Sequence, residues 1–384
     1  MNSMLPAPSS DALAHSQRVV AHVHALLDEA GGWIPFSRFM EAVLYAPGLG
    51  YYAAGAAKFG AAGDFVTAPE MTPLFGRTLA HAIAPALRET GGELLELGGG
   101  TGRLAADVLA ELDALGAPPS RYRILEVSAD LRARQQQTLA AERPRLTRHV
   151  EWLDALPEQF SGVILGNEVL DALPAELVHW TADGPCLRGV VRKGDSFAWD
   201  DRPIADDALR ARAAALALAP GYVSEINPAA EALIASLAQR LERGLILMID
   251  YGFGAREYYH PQRDLGTLRV HYRHHALDDP FHLPGLCDLT AHVDFSAIAR
   301  AGTAAGLELA GYTSQASFLL SGGLAELLMQ TPPEDAAVYL PQANAVQRLV
   351  SPAEMGELFK VIGLSKGALA PLAAFARNDR RHTL

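Results

Sequence analysis

A glycine-rich turn between a predicted strand and a predicted helix constrains this chain more than any other feature. An apolar run ends at Leu97, and glycines follow at alternate positions, Gly98, Gly100 and Gly102. Apolar residues at helical spacing come directly after them, so the order is strand, tight loop, helix. Glycine has no Cβ, which lets the backbone turn sharply and lets a ligand lie against it. The stretch therefore predicts a ligand site at the end of a central strand.

Acidic residues beside the glycines indicate which ligand the site takes. Dinucleotide sites space their glycines G-x-G-x-x-G, whereas this chain has G-x-G-x-G. Glu96 stands two residues before the first glycine, where a carboxylate repels a pyrophosphate but suits the positive charges of S-adenosylmethionine. The next candidate strand ends in Glu126, placed to bind ribose hydroxyls. These residues favour S-adenosylmethionine, while a dinucleotide site and a turn without a ligand stay open as alternatives.

Composition limits the class of protein. The chain has 384 residues, 49% of them hydrophobic and 20% charged, which suits a globular protein of two or so domains, or one large domain with insertions. The formal net charge of -12 argues against nucleic-acid or anionic-membrane partners and is compatible with a basic protein substrate. No apolar run is long enough to span a membrane, and the two cysteines form no metal-spaced pair. We expect a cytoplasmic protein.

Alternating strand and helix patterns predict an α/β fold with a Rossmann-like seven-stranded sheet, the number found in class I methyltransferases. The candidate sheet strands are residues 94–97, 122–127, 149–153, 162–166, 244–249, 307–313 and 358–361, the last one short and antiparallel. We divide the chain into an N-terminal helical and lid region (1–92), a cofactor-binding core (93–320) and C-terminal helices with the last strand (321–384). The core carries a β meander at about 175–220 and a long loop, without packed elements, at 253–294.

Further candidate cofactor residues flank the glycine loop in sequence. A segment that enters the cofactor strand from upstream can fold over the ligand, so Asp64, Thr67 and Glu70 are predicted lid residues, with helix capping as the alternative. Trp152 and Leu153, at the end of the third strand, are placed to flank an adenine ring.

Carboxylates follow the fourth strand, in the stretch Asn167-Glu168-Val169-Leu170-Asp171. Ligands of open α/β sheets lie beyond the carboxyl ends of the strands, so Asn167 joins the predicted cofactor residues and Glu168 and Asp171 become candidate acceptor residues. By the same reasoning, Asn227 and Asp250 follow candidate strands and are expected at the sheet edge that carries the cofactor.

The sequence resembles a known family of S-adenosylmethionine-dependent methyltransferases. This family includes the mitochondrial complex I assembly factor, which is a protein arginine methyltransferase, and its bacterial relatives. The resemblance runs from about residue 35 to 365, through residues 64–76, 93–102, 167–174, 224–228, 249–252 and 284–295. The last stretch, Pro-Gly-Leu-Cys-Asp-Leu-Thr-Ala-His-Val-Asp-Phe, is the most specific. Two departures are Gly-Gly-Gly-Thr-Gly in the glycine loop and Val169-Leu170 where many relatives have two aromatic residues.

The resemblance implies N-methylation of an arginine in a protein partner, with a respiratory-complex subunit as one candidate. Carboxylates must hold a guanidinium, and the candidates are Glu168 and Asp171, then Glu225. His292, with Asp288 and Asp294, closes the site from the long loop or forms only loop hydrogen bonds. The histidines at 271, 274, 275 and 282 lack the spacing of a metal site, so we expect no metal.

Three other functions remain open from the sequence. The chain can be an assembly scaffold that keeps a methyltransferase fold without turnover, a methyltransferase of a small molecule, or a dehydrogenase. Intact Glu96, Glu126 and glycines argue against lost cofactor binding.

Overall fold

The computed structural model describes residues 5–54 and 67–384. The helices are α1 (Ser10–Glu29), α2 (Phe36–Tyr45), α3 (Ala68–Met71), α4 (Pro73–Thr90), α5 (Arg103–Ala114), α6 (Ala129–Glu142), α7 (Asp207–Leu216), α8 (Pro228–Arg240), α9 (Ala255–Tyr258), α10 (Phe295–Ala304), α11 (Gln315–Ser321), α12 (Leu324–Leu328) and α13 (Ala336–Val350). Among these described residues, none of the helices combines the length and apolar character needed to cross a membrane.

The strands are β1 (Ile34–Pro35), β2 (Glu93–Leu97), β3 (Tyr122–Leu125), β4 (Val150–Leu153), β5 (Phe160–Asn167), β6 (Glu176–Thr181), β7 (Gly184–Lys193), β8 (Ser196–Pro203), β9 (Val223–Ile226), β10 (Leu241–Phe253), β11 (Arg269–Tyr272), β12 (His275–Leu277), β13 (Asp288–Thr290), β14 (Val293–Asp294), β15 (Glu308–Ser314) and β16 (Phe359–Lys366). The chain forms two compact units. The first comprises residues 5–54, Asp171–Ala230 and Arg256–His292, and the second comprises residues 67–170, Glu231–Ala255 and Val293–Leu384.

The second unit is built on the predicted seven-stranded sheet. Its strand order is β15-β16-β10-β5-β2-β3-β4, and the short β14 adds to β10. β16 runs antiparallel to both of its neighbours, as predicted, but it is eight residues long and not short. Helices α4 and α5 pack their apolar faces into the core of this unit. The core includes Phe75 of α4, Leu109 of α5, and Val163 and Leu165 of β5. The Rossmann-like α/β fold is thereby confirmed.

The first unit contains the predicted meander, in which β6, β7 and β8 pair antiparallel. They form a five-stranded sheet with β1 and β9. Since β9 belongs to this sheet, Asn227 does not follow a strand of the large sheet, and the expectation that it marks the same sheet edge as Gly100 is wrong. Asn227 instead caps α8, where its Oδ1 accepts a hydrogen bond of 2.9 Å from the Ala230 amide.

The prediction of a long loop without packed elements over residues 253–294 is wrong. Strands β11, β12 and β13 form a three-stranded antiparallel sheet in this stretch. Val270, Tyr272 and Leu289 belong to a buried core of the first unit. Because these strands have only three or four residues, their alternation is too brief to show as a period in the sequence.

Candidate functional site

The glycine loop joins β2 to α5 in the second unit. β2 lies between β5 and β3 and pairs parallel with both, so the loop begins at the carboxyl end of a central strand. Gly98, Gly100 and Gly102 have φ of 63°, 51° and 84°, which favour glycine. A Cβ at Gly102 would lie 2.9 Å from the Cα of Gln135, whereas no described atom lies within 4 Å of a Cβ at Gly100. The loop is therefore closed against α6 on one side and open at Gly100, as a bound ligand requires.

Glu96 is a buried carboxylate one residue before the end of β2, with 2% of its surface exposed. The Tyr122 hydroxyl donates a hydrogen bond of 2.8 Å to its Oε2. The pKa of Glu96 is raised to about 7, mainly by burial and to a smaller extent by Glu126, while the Tyr122 hydrogen bond opposes the rise. A cationic group of a ligand beside Glu96 would favour its ionised form.

Glu126 follows β3, as predicted, and a glutamine from α6 orients it. Its Oε1 accepts a hydrogen bond of 2.9 Å from the Ser128 amide. Its Oε2 accepts one of 2.9 Å from Nε2 of Gln135. Burial raises the pKa of Glu126, and both hydrogen bonds counteract this. Each carboxylate oxygen keeps a second lone pair, so the group can still accept hydrogen bonds from two ribose hydroxyls.

Gln135 connects three parts of the site. Besides Glu126, its Nε2 donates to the Gly100 carbonyl at 3.1 Å, and its Oε1 accepts from Nε1 of Trp152 at 2.9 Å. The side chain is completely buried. Reasoning from the sequence placed Trp152 near the ligand but missed Gln135, because three successive glutamines look alike until α6 is docked.

The other predicted cofactor residues of the second unit lie around this network. Leu153 ends β4, and its carbonyl accepts a hydrogen bond of 3.1 Å from Arg132. Glu70, in α3, accepts a hydrogen bond from the Thr101 hydroxyl of the glycine loop. Thr67 is the N-cap residue of α3, but its side chain makes no capping bond. Asp64 lies outside the described residues. Ligand contacts of these four residues stay predictions.

Asn167 is the last residue of β5, and Glu168 begins the turn that follows, also in the second unit. Glu168 has a φ of 54°, which is unusual for a residue with a side chain. Its amide donates to the Ile249 carbonyl at 2.9 Å, and its Oε1 accepts from Nδ2 of Asn167 at 3.0 Å. The turn is next to the glycine loop, since Cγ2 of Val169 would lie 3.5 Å from a Cβ at Gly98. Strained backbone of this kind is common at functional sites.

The remaining candidates, Asp171, Glu225 and His292, belong to the first unit. Glu225, on β9, is buried and accepts hydrogen bonds from the amides of Thr267 and Leu268, from the Thr267 hydroxyl at 3.0 Å and from the Tyr258 hydroxyl at 3.2 Å. The carboxylate therefore anchors residues 267–268 to β9. A catalytic role for Glu225 stays a prediction.

His292 belongs to the same network through its backbone. Its amide donates to the Thr267 hydroxyl at 3.0 Å, and its carbonyl accepts from the Tyr258 hydroxyl at 3.0 Å. Asp171 is buried, and its carbonyl accepts a hydrogen bond of 2.9 Å from the Ala291 amide. The backbone of residues 291 and 292 is thus held in place by the Asp171 carbonyl and by the Thr267 and Tyr258 hydroxyls.

Two aspartates near His292 in sequence accept hydrogen bonds within their own units. Asp288 accepts a hydrogen bond of 2.8 Å from the Tyr52 hydroxyl in the first unit. Burial, reinforced by Asp288, raises the pKa of Tyr52 well above its ordinary value, so this hydroxyl stays protonated. Asp294 caps α10 in the second unit, where it accepts from the Ser296 and Ala297 amides. For Asp294 the structure therefore shows the loop hydrogen bonding that the sequence left open.

The structure brings one set of predicted residues together within the second unit, namely Glu70, Glu96, Gly98, Gly100, Gly102, Glu126, Trp152, Leu153, Asn167 and Glu168. Gln135 was missed as a site residue. Asp250 was predicted at this sheet edge and lies near the carboxyl end of β10, but its hydrogen bonds to the turn after β5 were not predicted. Across residues 5–54 and 67–384, no three His, Cys, Asp or Glu side chains cluster as a metal site would require.

Known proteins resemble the chain over most of its length. Residues 78–313 match the family model of S-adenosyl-L-methionine-dependent methyltransferases. Mitochondrial protein arginine methyltransferase NDUFAF7 of Mus musculus is 31% identical over 87% of this chain and 81% of its own. Its Drosophila melanogaster homolog is 29% identical over 88% of this chain and 83% of its own. A crystal structure from Burkholderia thailandensis, bound to S-adenosyl-homocysteine, is 53% identical with a TM-score of 0.96 and covers 99% of this chain and 100% of that one.

Proposed function

Because the chain belongs to the family of S-adenosyl-L-methionine-dependent methyltransferases, we propose that it methylates an arginine nitrogen of a protein partner. The relatives named as protein arginine methyltransferases support this acceptor, since they align with more than four fifths of the chain. A respiratory-complex subunit is the proposed partner, and the cytoplasm is the proposed compartment. Fractionation of cells that express a tagged chain tests the compartment.

The residues around the glycine loop suit the donor. Glu96 would face the cationic part of S-adenosylmethionine, Gly100 leaves room for the ligand against the backbone, and Glu126 would accept from the ribose. When bound, this cofactor supplies an electrophilic methyl carbon. The Burkholderia thailandensis structure, bound to S-adenosyl-homocysteine, supports the same ligand for this chain.

The observation that carries the acceptor proposal is the conformation of Glu168. A residue with a side chain adopts φ of 54° next to the glycine loop, directly after the strand that pairs with β2. In the proposed reaction, the Glu168 carboxylate binds N–H groups of the guanidinium and turns one nitrogen toward the methyl carbon. The methylated nitrogen then gives up one proton, for which a carboxylate is a suitable acceptor.

Tritium transfer from labelled donor into protein tests the proposal. The purified chain is incubated with extract of cells that lack the protein, and labelled peptides are identified by mass spectrometry. We expect label on arginine with the parent chain, label reduced by at least tenfold with Glu168→Gln, and no change with the exposed control Glu158→Gln. S-adenosylhomocysteine affinity should stay within about twofold in both variants, because the lost interaction is with the acceptor.

Two outcomes would contradict the proposal. Label in a small molecule, with no labelled arginine, would indicate a small-molecule methyltransferase. Donor binding without any transfer, together with stable capture of a partner, would indicate a scaffold.

A further inference from the structure

Asp250 holds the turn that presents Glu168. It lies near the carboxyl end of β10 and is buried. Its Oδ2 accepts hydrogen bonds from the amides of Val169 at 3.1 Å and Leu170 at 2.8 Å. Its Oδ1 accepts one of 2.9 Å from the Tyr251 amide. A single carboxylate therefore ties the two residues that follow Glu168 to the neighbouring strand.

The turn needs such a restraint because Glu168 is in a disfavoured conformation. Its φ of 54° lies in the left-handed region, which residues with a side chain rarely adopt. The amide of Glu168 donates to Ile249 on the N-terminal side, and the Asp250 carboxylate binds the chain on the other side. Hydrogen bonds to β10 therefore hold the backbone both at the Glu168 amide and at the two residues that follow it. Surroundings that fix the backbone on both sides are what keeps a strained residue in place.

A buried cation lies opposite Asp250 on the next strand. Lys360 lies directly opposite Asp250 in the antiparallel pair β10 and β16, so the two side chains share one face of the sheet. Lys360 is buried, and its ammonium group donates to the Glu357 carbonyl and lies 5.4 Å from the Phe253 ring centroid. An ionised carboxylate accepts stronger hydrogen bonds from amides than a neutral one.

We propose that Asp250 is a positioning residue for the methyl-transfer reaction, which acts by fixing the Glu168 turn and not by touching either substrate. This inference rests on the proposed function, because it requires that Glu168 binds the acceptor. The inference goes beyond the proposed function because it assigns a role to a residue on a different strand.

A double-mutant cycle tests the inference. Asp250→Asn replaces one carboxylate oxygen by an NH₂ group, which cannot accept a hydrogen bond, so the side chain can no longer accept from the Val169 and Leu170 amides and from the Tyr251 amide at the same time. We expect a fall in kcat of about 10- to 100-fold with S-adenosylhomocysteine affinity changed by less than about twofold. The double variant Asp250→Asn/Glu168→Gln should have the kcat of Glu168→Gln alone, since both changes remove the same interaction between the Glu168 turn and the acceptor. Asp113→Asn, an exposed aspartate in α5, is the matched control.

Amide hydrogen exchange at Val169 and Leu170 gives a readout that does not depend on activity. We expect faster exchange at these two amides in Asp250→Asn and unchanged exchange at Glu96. Should this variant fail to fold, Asp250→Ser, which keeps one acceptor oxygen, is measured in its place.

The outcomes separate the inference from the function on which it rests. Faster exchange with unchanged kcat in Asp250→Asn, or kcat losses that multiply in the double variant, would overturn the inference and leave the arginine methyltransferase proposal standing. Full activity of Glu168→Gln would overturn the inference and the acceptor-binding role of Glu168, whereas the arginine acceptor itself is decided by the label on arginine.

Discussion

Gln135 donates a hydrogen bond of 2.9 Å from its side-chain Nε2 to the carboxylate of Glu126. The same nitrogen reaches the Gly100 carbonyl, so one buried amide sets the position of both the acidic residue after β3 and the loop after β2. Since Oε1 of Gln135 accepts from Trp152, the orientation of the amide is determined by its partners. The cofactor end of the sheet thus depends on a helix residue that need not contact the ligand.

Gln135→Leu should weaken cofactor binding. The substitution keeps the volume but removes two hydrogen bonds that orient Glu126 and Gly100, and it leaves the Trp152 N–H without its partner. We expect a loss of about 1 to 3 kcal/mol in S-adenosylhomocysteine binding, measured by calorimetry. Gln136→Leu, at the exposed neighbouring position, should bind like the parent. Equal affinities of the two variants would contradict the role of Gln135.

Cofactor affinity should depend on pH through Glu96. Burial raises the pKa of this carboxyl to about 7. A bound cation favours the ionised form, so affinity is full above the raised pKa and falls as the pH drops below it. We expect S-adenosylmethionine to bind on the order of tenfold more weakly at about pH 5.5 than at about pH 7.5. Glu96→Gln removes the titrating group and controls for titration of the ligand. The same pH dependence in this variant would exclude Glu96 as its source.

Replacing the buried carboxyl of Asp107 by a neutral group should stabilise the fold near neutral pH. Burial raises its pKa from 3.8 to about 6, and Arg103 and Arg143 only partly oppose this. The Arg143 guanidinium is 3.7 Å from its Oδ1. A raised carboxyl pKa stabilises the fold at low pH, and this contribution is lost as the pH rises through about 6. Asp107→Asn should therefore raise the free energy of unfolding at about pH 7.5, by up to about 3 kcal/mol, and have little effect at about pH 4.

Urea unfolding at both pH values measures the effect of Asp107→Asn. Asp113→Asn, an exposed position in the same helix, should change the free energy of unfolding by less than about 0.5 kcal/mol. A loss of stability in Asp107→Asn at the higher pH would show that the charged carboxylate is favourable in the fold.

Sequence patterns predicted the large sheet because its strands are apolar on both faces. Parallel strands covered by helices read as continuous apolar runs, and residues 162–166 and 244–249 are of this kind. The glycine loop was also predictable, since alternate glycines between an apolar run and a helical spacing indicate a tight turn, and their φ values in the structure are positive. The meander was found because its strands are long enough to alternate.

Long-range partners were not predictable in the same way. Glu225 carries the charge expected of an acceptor residue, yet its oxygens bind amides 42 residues further along the chain. Asp250 holds amides 80 and 81 residues before it. Such pairings depend on how elements dock, and a single sequence carries no period or spacing that reports them.

Alanine substitutions at Gly100 and Gly116 separate the ligand role of Gly100 from its backbone role. Gly100 has a φ of 51° and Gly116 a φ of 62°, and no described atom lies within 4 Å of a Cβ built at either position. Alanine at each site should therefore cause a similar loss of stability, about 1 to 2 kcal/mol, from the left-handed backbone alone. Only at Gly100 does the added methyl group enter the space expected for the ligand. Gly100→Ala should thus lower S-adenosylhomocysteine affinity by at least about tenfold, while Gly116→Ala leaves it unchanged.

Thermal unfolding measures the loss of stability, and calorimetric titration measures the loss of affinity. Parent-like affinity of Gly100→Ala would mean that the ligand does not lie against this part of the loop.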